Sequence, residues 1–232
     1  MKQIFNKTTS FKSIAVLIFT AVLLTSLKPT TVNAQSFDTG VDFYSTYIFR
    51  GVAFSGPSIQ PYVEFSTGGF SIGAWGSQGI DGLASEGSLG FQEMDLYAAY
   101  EFDFGFSIGL TDYYYPGTDY FDSGSHAIEL NLGFELDNFS LSGNYMFNEA
   151  EGAGSAGSDL YFEAGLSFGS VNIFAGAGDG WHSMDGDFAL VNVGLATTKE
   201  IKITDSFSIP LTGAAILNPD TEQFYIVVGI SF

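Results

Sequence analysis

Arg50 is the residue around which any chemistry in this chain must be arranged. It is the only arginine, and no other basic residue stands between Lys28 and Lys199. A lone guanidinium has two uses among carboxylates. It lines a water-filled pore or binding site, or it ties the wall through paired hydrogen bonds to a carboxylate or to loop carbonyls. By alternation it shares a face with Asp42, Tyr44 and Thr46, and acids fall on the equivalent face of later segments: Glu64, Glu93, Asp95, Glu101, Glu129, Glu135 and Glu163. Pairing position 50 with 58 would set Glu64 opposite Tyr44, which leaves Glu93, Asp95 or loop groups as the expected partners of the arginine. The candidate lumen-lining set is therefore Arg50, Tyr44, Tyr62, Glu64, Glu93, Asp95, Glu129 and Glu163. An open bore lined this way prefers cations, whereas Tyr44, Tyr62, Tyr97, Tyr113 and Tyr161 could fill it instead.

Other chemistry has thin support. His126 and His182 are the only histidines, and the serines beside them (Ser123, Ser125 and Ser183) do not by adjacency make a triad. Both histidines read best as exposed loop groups. Acids at Asp81, Glu86, Asp119, Asp122, Glu149, Glu151, Asp179, Asp185 and Asp187 could offer oxygens to calcium, but none completes a calcium-loop pattern. Gly152-Ala153-Gly154 lacks the Lys and Thr continuation of a phosphate loop. No cofactor, metal site or catalytic constellation is expected, and the chain reads as a non-enzyme.

The elements that must hold these side chains are strands with period-two alternation. Apolar residues recur at every second position from Ile59 to Phe65, Phe70 to Ala74, Met94 to Tyr100 and Phe106 to Leu110, and from Phe37 to Phe49 with Thr39 and Ser45 interrupting. They do so again from Ile128 to Leu136, Phe139 to Phe147, Leu160 to Phe168 and Val171 to Ala175. Three further strands run from Phe188 to about Lys199, from Phe207 to Gly213 and from Phe224 to Phe232. Short turns fall near 66–69, 103–105, 137–138, 169–170 and 200–206. Longer polar loops fall near 51–57, 78–91, 116–125, 149–158, 179–187 and 217–222. Long and short connections alternate throughout. About twelve strands of this length, with short turns at one end and long loops at the other, predict an all-β fold. The expected architecture is an antiparallel up-and-down transmembrane β-barrel with short periplasmic turns and longer outer loops. A soluble β-sandwich would also alternate, but gives no reason for the long–short rhythm.

The first 34 residues read as a cleaved signal peptide, which leaves 35–232 as a single outer-membrane barrel domain. Lys2, Lys7 and Lys12 precede an apolar run from Ala15 to Leu24, and Val32-Asn33-Ala34 offers a cleavage site. All 26 acidic residues lie beyond Ala34, against only Arg50, Lys199 and Lys202. So acidic a chain excludes nucleic acid as a partner, and aromatic residues at 16% exclude simple disorder. With no cysteine there is neither a disulfide framework nor a lipoprotein anchor.

Residues 43–78 carry Tyr47-Ile48-Phe49-Arg50-Gly51, then Pro57 to Gln60, then Trp75-Gly76-Ser77. This stretch resembles the Gcw_chp family of exported bacterial proteins of unknown function. The resemblance implies export and a barrel fold, and brings no established reaction. Phe232, ending an alternating strand, resembles the signal read by the barrel assembly machinery. The location implied is the outer membrane of a Gram-negative bacterium. The implied partners are outer-membrane lipid, that machinery with periplasmic chaperones, and small ions or solutes. The expected role is a small passive, cation-preferring pore. The alternatives are a closed structural or surface-binding barrel with acidic outer loops and, further off, a barrel enzyme acting on lipid.

Overall fold

The computed structural model describes residues 35–82 and 89–232. The expected leader and part of the loop after residue 82, Glu86 included, lie outside the described residues. Twelve strands close into one antiparallel barrel: β1 (Gln35–Tyr44), β4 (Ser58–Thr67), β5 (Phe70–Gly79), β6 (Gln92–Glu101), β7 (Phe106–Tyr114), β8 (His126–Leu136), β9 (Phe139–Met146), β12 (Leu160–Phe168), β13 (Val171–Gly178), β14 (Ala189–Lys202), β15 (Ser208–Asn218) and β16 (Gln223–Ser231). The remaining four strands are short. β2 (Tyr47–Phe49) pairs with β3 (Val52–Ser55), and β10 (Glu149–Ala150) with β11 (Ser155–Ala156). Each barrel strand pairs with its neighbours in sequence, and β1 meets β16 to close the ring. This is the expected twelve-strand, up-and-down order.

The alternation sorts residues between the two faces of the wall. Phe65, Ile72, Ala98, Leu110, Leu130 and Tyr145 succeed one another across β4 to β9 on the outside. Ile173, Leu195, Ile226 and Val228 continue the apolar outer surface on the later strands. A face that is apolar around the ring suits hydrocarbon rather than water. The inner face carries the acids, amides and hydroxyls together with aromatic rings. Several of these rings lie over glycines of the adjacent strand, Tyr44 over Gly229 and Tyr161 over Gly176, so the missing Cβ makes room for an inward ring.

One expectation is overturned here. The first strand ends at Tyr44 instead of running on through Arg50, and residues 51–57 are not an outward polar loop. The chain bends at Ser45-Thr46, and β2 and β3 form a small hairpin whose β2 arm is buried within the barrel while β3 stays partly exposed. Tyr47, Ile48 and Phe49 are each at most 3% exposed, where alternation had put Tyr47 and Phe49 on the lipid side. The turn explains the difference. Arg50 and Gly51 both adopt positive φ, 49° and 83°, the two-residue geometry that folds a hairpin back tightly.

Burying a cation in the middle of the outer face should damage the fold. Leu110→Arg is expected to lower the stability of the refolded barrel in lipid vesicles by about 2–4 kcal/mol, read by urea titration. A cost within about 0.5 kcal/mol, usual for a watery surface, would show that this face does not meet lipid.

Candidate functional site

The hairpin is held by its tip. A Cβ on Gly51 would collide with the backbone carbonyl of Val191 on β14, so the chain can approach that wall only as glycine. Asn218 at the end of β15 donates its side-chain N–H to the Gly51 carbonyl at 3.2 Å. Beside it, Arg50 reaches Glu129 on β8 with both terminal nitrogens, Nη1 to Oε1 at 2.7 Å and Nη2 to Oε2 at 2.9 Å. The two side chains are 3% and 0% exposed. The guanidinium also lies over the rings of Phe49 and Tyr161, 4.6 and 4.5 Å from their centroids, a desolvated cation–π arrangement. Burial works against the charge of Arg50, but the Glu129 carboxylate outweighs it, so the guanidinium is held even more firmly protonated than usual.

Glu129 is saturated from the other side. Tyr113 donates to its Oε2 at 2.9 Å and Asn131 at 2.6 Å. Asn131 in turn donates to Asn144 and accepts from Thr111, which links β7, β8 and β9. Glu163 on β12 sits in a neighbouring net, accepting from the Tyr161 hydroxyl and from Asn192 at 2.8 Å. The pairing predicted for Arg50 is thus corrected. Its carboxylate is Glu129, not Glu93 or Asp95, because the hairpin tip lies across the lumen from β1 rather than on it. The register changes accordingly: Tyr44 is opposite Ser58, and Glu64 is opposite Asp38.

Of the other candidate positions, Glu93, Asp95 and Glu64 are buried, with Glu64 accepting from the Tyr97 hydroxyl at 3.1 Å. Tyr44 belongs to an apolar cluster with Ile48, Phe174 and Ile216. Tyr62, half-buried, packs against a second cluster that holds Tyr47, Phe49, Trp75 and Tyr113. Phe232 closes the ring: its N–H and carbonyl bond the backbone of Val41 at 3.0 and 3.1 Å, and its ring meets Phe43 edge-on.

His182, expected as an exposed loop group, is 3% exposed. Its Nε2 faces Arg50 Nη1 at 3.2 Å and accepts from the indole N–H of Trp181 at 2.7 Å. With two donors aimed at it, that nitrogen carries no proton. Burial first, and the Arg50 charge second, push His182 well below the ordinary imidazole range. Only its place beside a tryptophan hinted at this in the sequence. His126 faces an acceptor with each ring nitrogen, Asp112 at 2.9 Å and the Tyr120 carbonyl, so neither nitrogen is free to act as a general base. Several loop acids cap backbone N–H groups: Asp81 accepts from Gly56, Asp122 from Gly124 and Asp179 from Leu160. Among the described residues, no group of three or more Asp, Glu or His side chains is gathered as a metal site.

A closed β-barrel, apolar outside and filled at one level by a hairpin pinned on a buried ion pair, is the class of protein these observations define. The chain belongs to the Gcw_chp family, described as a bacterial protein of unknown function, whose pattern matches residues 28–202. The match extends well beyond the 43–78 stretch that carries the resemblance. No curated protein matches the chain. Among solved structures it is similar to a porin mutant of Rh. blastica, at 15% identity over 75% of this chain and 55% of that one, with a TM-score of 0.40. A second mutant of the same porin gives 13% identity over 87% and 74% of the two chains, with a TM-score of 0.43. The chain spans little more than half the length of the first of these porins.

Breaking the pair by Glu129→Ala leaves the guanidinium buried alone and should cost about 3–5 kcal/mol in urea unfolding of the detergent-folded barrel. The paired change Arg50→Met with Glu129→Leu should recover most of that loss; a double variant as unstable as the single one would refute the ion-pair account. His182 adds a pH dependence. The unfolded chain takes up a proton below about 6.5, while the folded site resists it. Stability therefore declines as pH falls from 6.5 toward the depressed folded-state value, and is insensitive to this group above 6.5. His182→Asn, which keeps an acceptor for Arg50, should flatten that part of the curve; an unchanged slope would assign it to another group.

Proposed function

We propose that the chain is an outer-membrane β-barrel of a Gram-negative bacterium, exported through a cleaved leader, and that it acts as a narrow passive pore for small cations. The supporting observation is the sign of the charge on the inner wall. Asp42, Glu64, Glu93, Asp95, Glu129 and Glu163 are buried there, and among the described residues the buried bases are Arg50 and His182, the latter uncharged. Arg50 is already engaged by Glu129, so the lining presents net negative charge to anything that enters. The hairpin sets the width. It occupies the bore between β8 on one side and β14 and β15 on the other, so passage is limited to what fits around it or to moments when it is displaced.

A second reading, a closed structural or surface-binding barrel, is favoured by the tightness of packing about the hairpin, where Tyr47, Ile48 and Tyr113 are 0–1% exposed. Barrel assembly machinery, periplasmic chaperones and membrane lipid are the partners of either form.

Planar-bilayer recordings of refolded protein separate the two. A small, cation-selective conductance is expected from the wild type, rising when Arg50→Ala loosens the hairpin. Anion selectivity would contradict the pore proposal. Silence from both the wild type and a variant with residues 46–56 replaced by a short Gly-Ser turn would establish the closed barrel instead.

A further inference from the structure

Glu93 and Asp95 stand two residues apart on β6, on one face of the strand, and are 3% and 1% exposed. None of their four carboxylate oxygens has a hydrogen-bond partner. Around them are further buried polar groups in the same state: the hydroxyls of Tyr47, Tyr115 and Ser77 and the indole N–H of Trp75. The register sets Ser77 opposite Glu93 and Trp75 opposite Asp95 on the inner wall. The hydroxyls of Tyr47 and Tyr115 are the protein donors that approach Glu93, whereas both Asp95 oxygens, Ser77 and the Trp75 indole have no partner. So many unmet polar groups in one place are costly, and two ionised carboxylates more so. Among the described residues no cationic side chain answers them. Arg50 is held by Glu129, and Lys199 and Lys202 are exposed at the far end of β14.

We propose that Glu93 and Asp95, with the hydroxyls of Tyr47, Tyr115 and Ser77, bind a hard divalent metal ion of the calcium class within the barrel wall. The donors are all oxygen, which selects hard cations, and two carboxylates balance a double charge. Tyr47, Phe54, Phe91 and Tyr115 pack directly on one another with centroids 5.2–6.1 Å apart, so the carboxylates are walled by aromatic rings on that side. The site differs from the acidic outer loops in being buried and in lacking internal hydrogen bonds. It would also join the hairpin, through Tyr47, to a wall that the Arg50 pair does not reach. The inference stands whether or not the lumen conducts.

Trp75 and the two tyrosines make the site self-reporting, since an indole beside bound terbium(III) sensitises its luminescence. The full barrel, folded in detergent and freed of metal with chelator, is titrated with terbium under tryptophan excitation. One saturable site displaced by calcium is expected, unchanged in the loop variant Asp185→Asn/Asp187→Asn. In Glu93→Gln/Asp95→Asn its affinity should fall at least about tenfold, the lower end of what loss of supporting groups costs metal sites. Tyr115→Phe, which removes one hydroxyl and no charge, should weaken binding without threatening the fold. That variant decides the matter if the double variant does not show the gel-mobility shift of a folded barrel. Absence of sensitised emission from the wild type overturns the proposal. So does emission that survives these wall variants, or emission that disappears with the loop variant.

Discussion

A single buried cation constrains this molecule. Arg50 cannot be desolvated without a carboxylate, and Glu129 is the one within reach of the hairpin tip. Because Glu129 also accepts from Tyr113 and Asn131, the pair fixes the inner faces of three consecutive strands along with the hairpin. His182 and Trp181 extend the same net into the loop between β13 and β14. The guanidinium is thus the hub at which the inserted segment meets both sides of the barrel.

Apolar packing follows from that placement. β2 is buried on both faces, and its three residues alternate between two clusters. Ile48 joins Tyr44, Phe174 and Ile216 toward the closing strands, while Tyr47 and Phe49 join Trp75 and Tyr113 toward β5 to β7. A barrel of this size has too wide a bore for its own side chains to fill completely. Here an extra layer of chain supplies the missing contacts. The hairpin adds Tyr47, Ile48 and Phe49 to the apolar residues that β1, β5, β7, β13 and β15 already turn inward among the polar lining.

Most of the barrel was legible because period two is a local property. The strands at Ile128–Leu136 and Phe139–Phe147, with Asp137-Asn138 between them, lie within two residues of where alternation puts them. The inward acids were legible for the same reason. The hairpin was not. Alternation carries on through Tyr47 and Phe49 as though the first strand continued, and Arg-Gly is a less familiar turn pair than Asn-Gly or Asp-Gly. The partner of Arg50 lies 79 residues away and is chosen by where the tip lands, which no local pattern encodes. Burial of His182 is likewise set by the tertiary position of Arg50.

The seam between β1 and β16 has a consequence for how the molecule comes into being. β1 pairs with β4 along its full length, but with β16 only from Asp42 to Tyr44, reinforced by the bonds between Val41 and Phe232. The ring therefore ends on its shortest ladder, joining the two most distant strands in sequence, the step with the largest loop-closure entropy. In the closed ring the hairpin, tethered to β1, touches β8, β14 and β15. The segment inside the bore thus cross-braces the wall on both sides of its shortest ladder, holding at a distance strands that the seam itself joins by only three residue pairs.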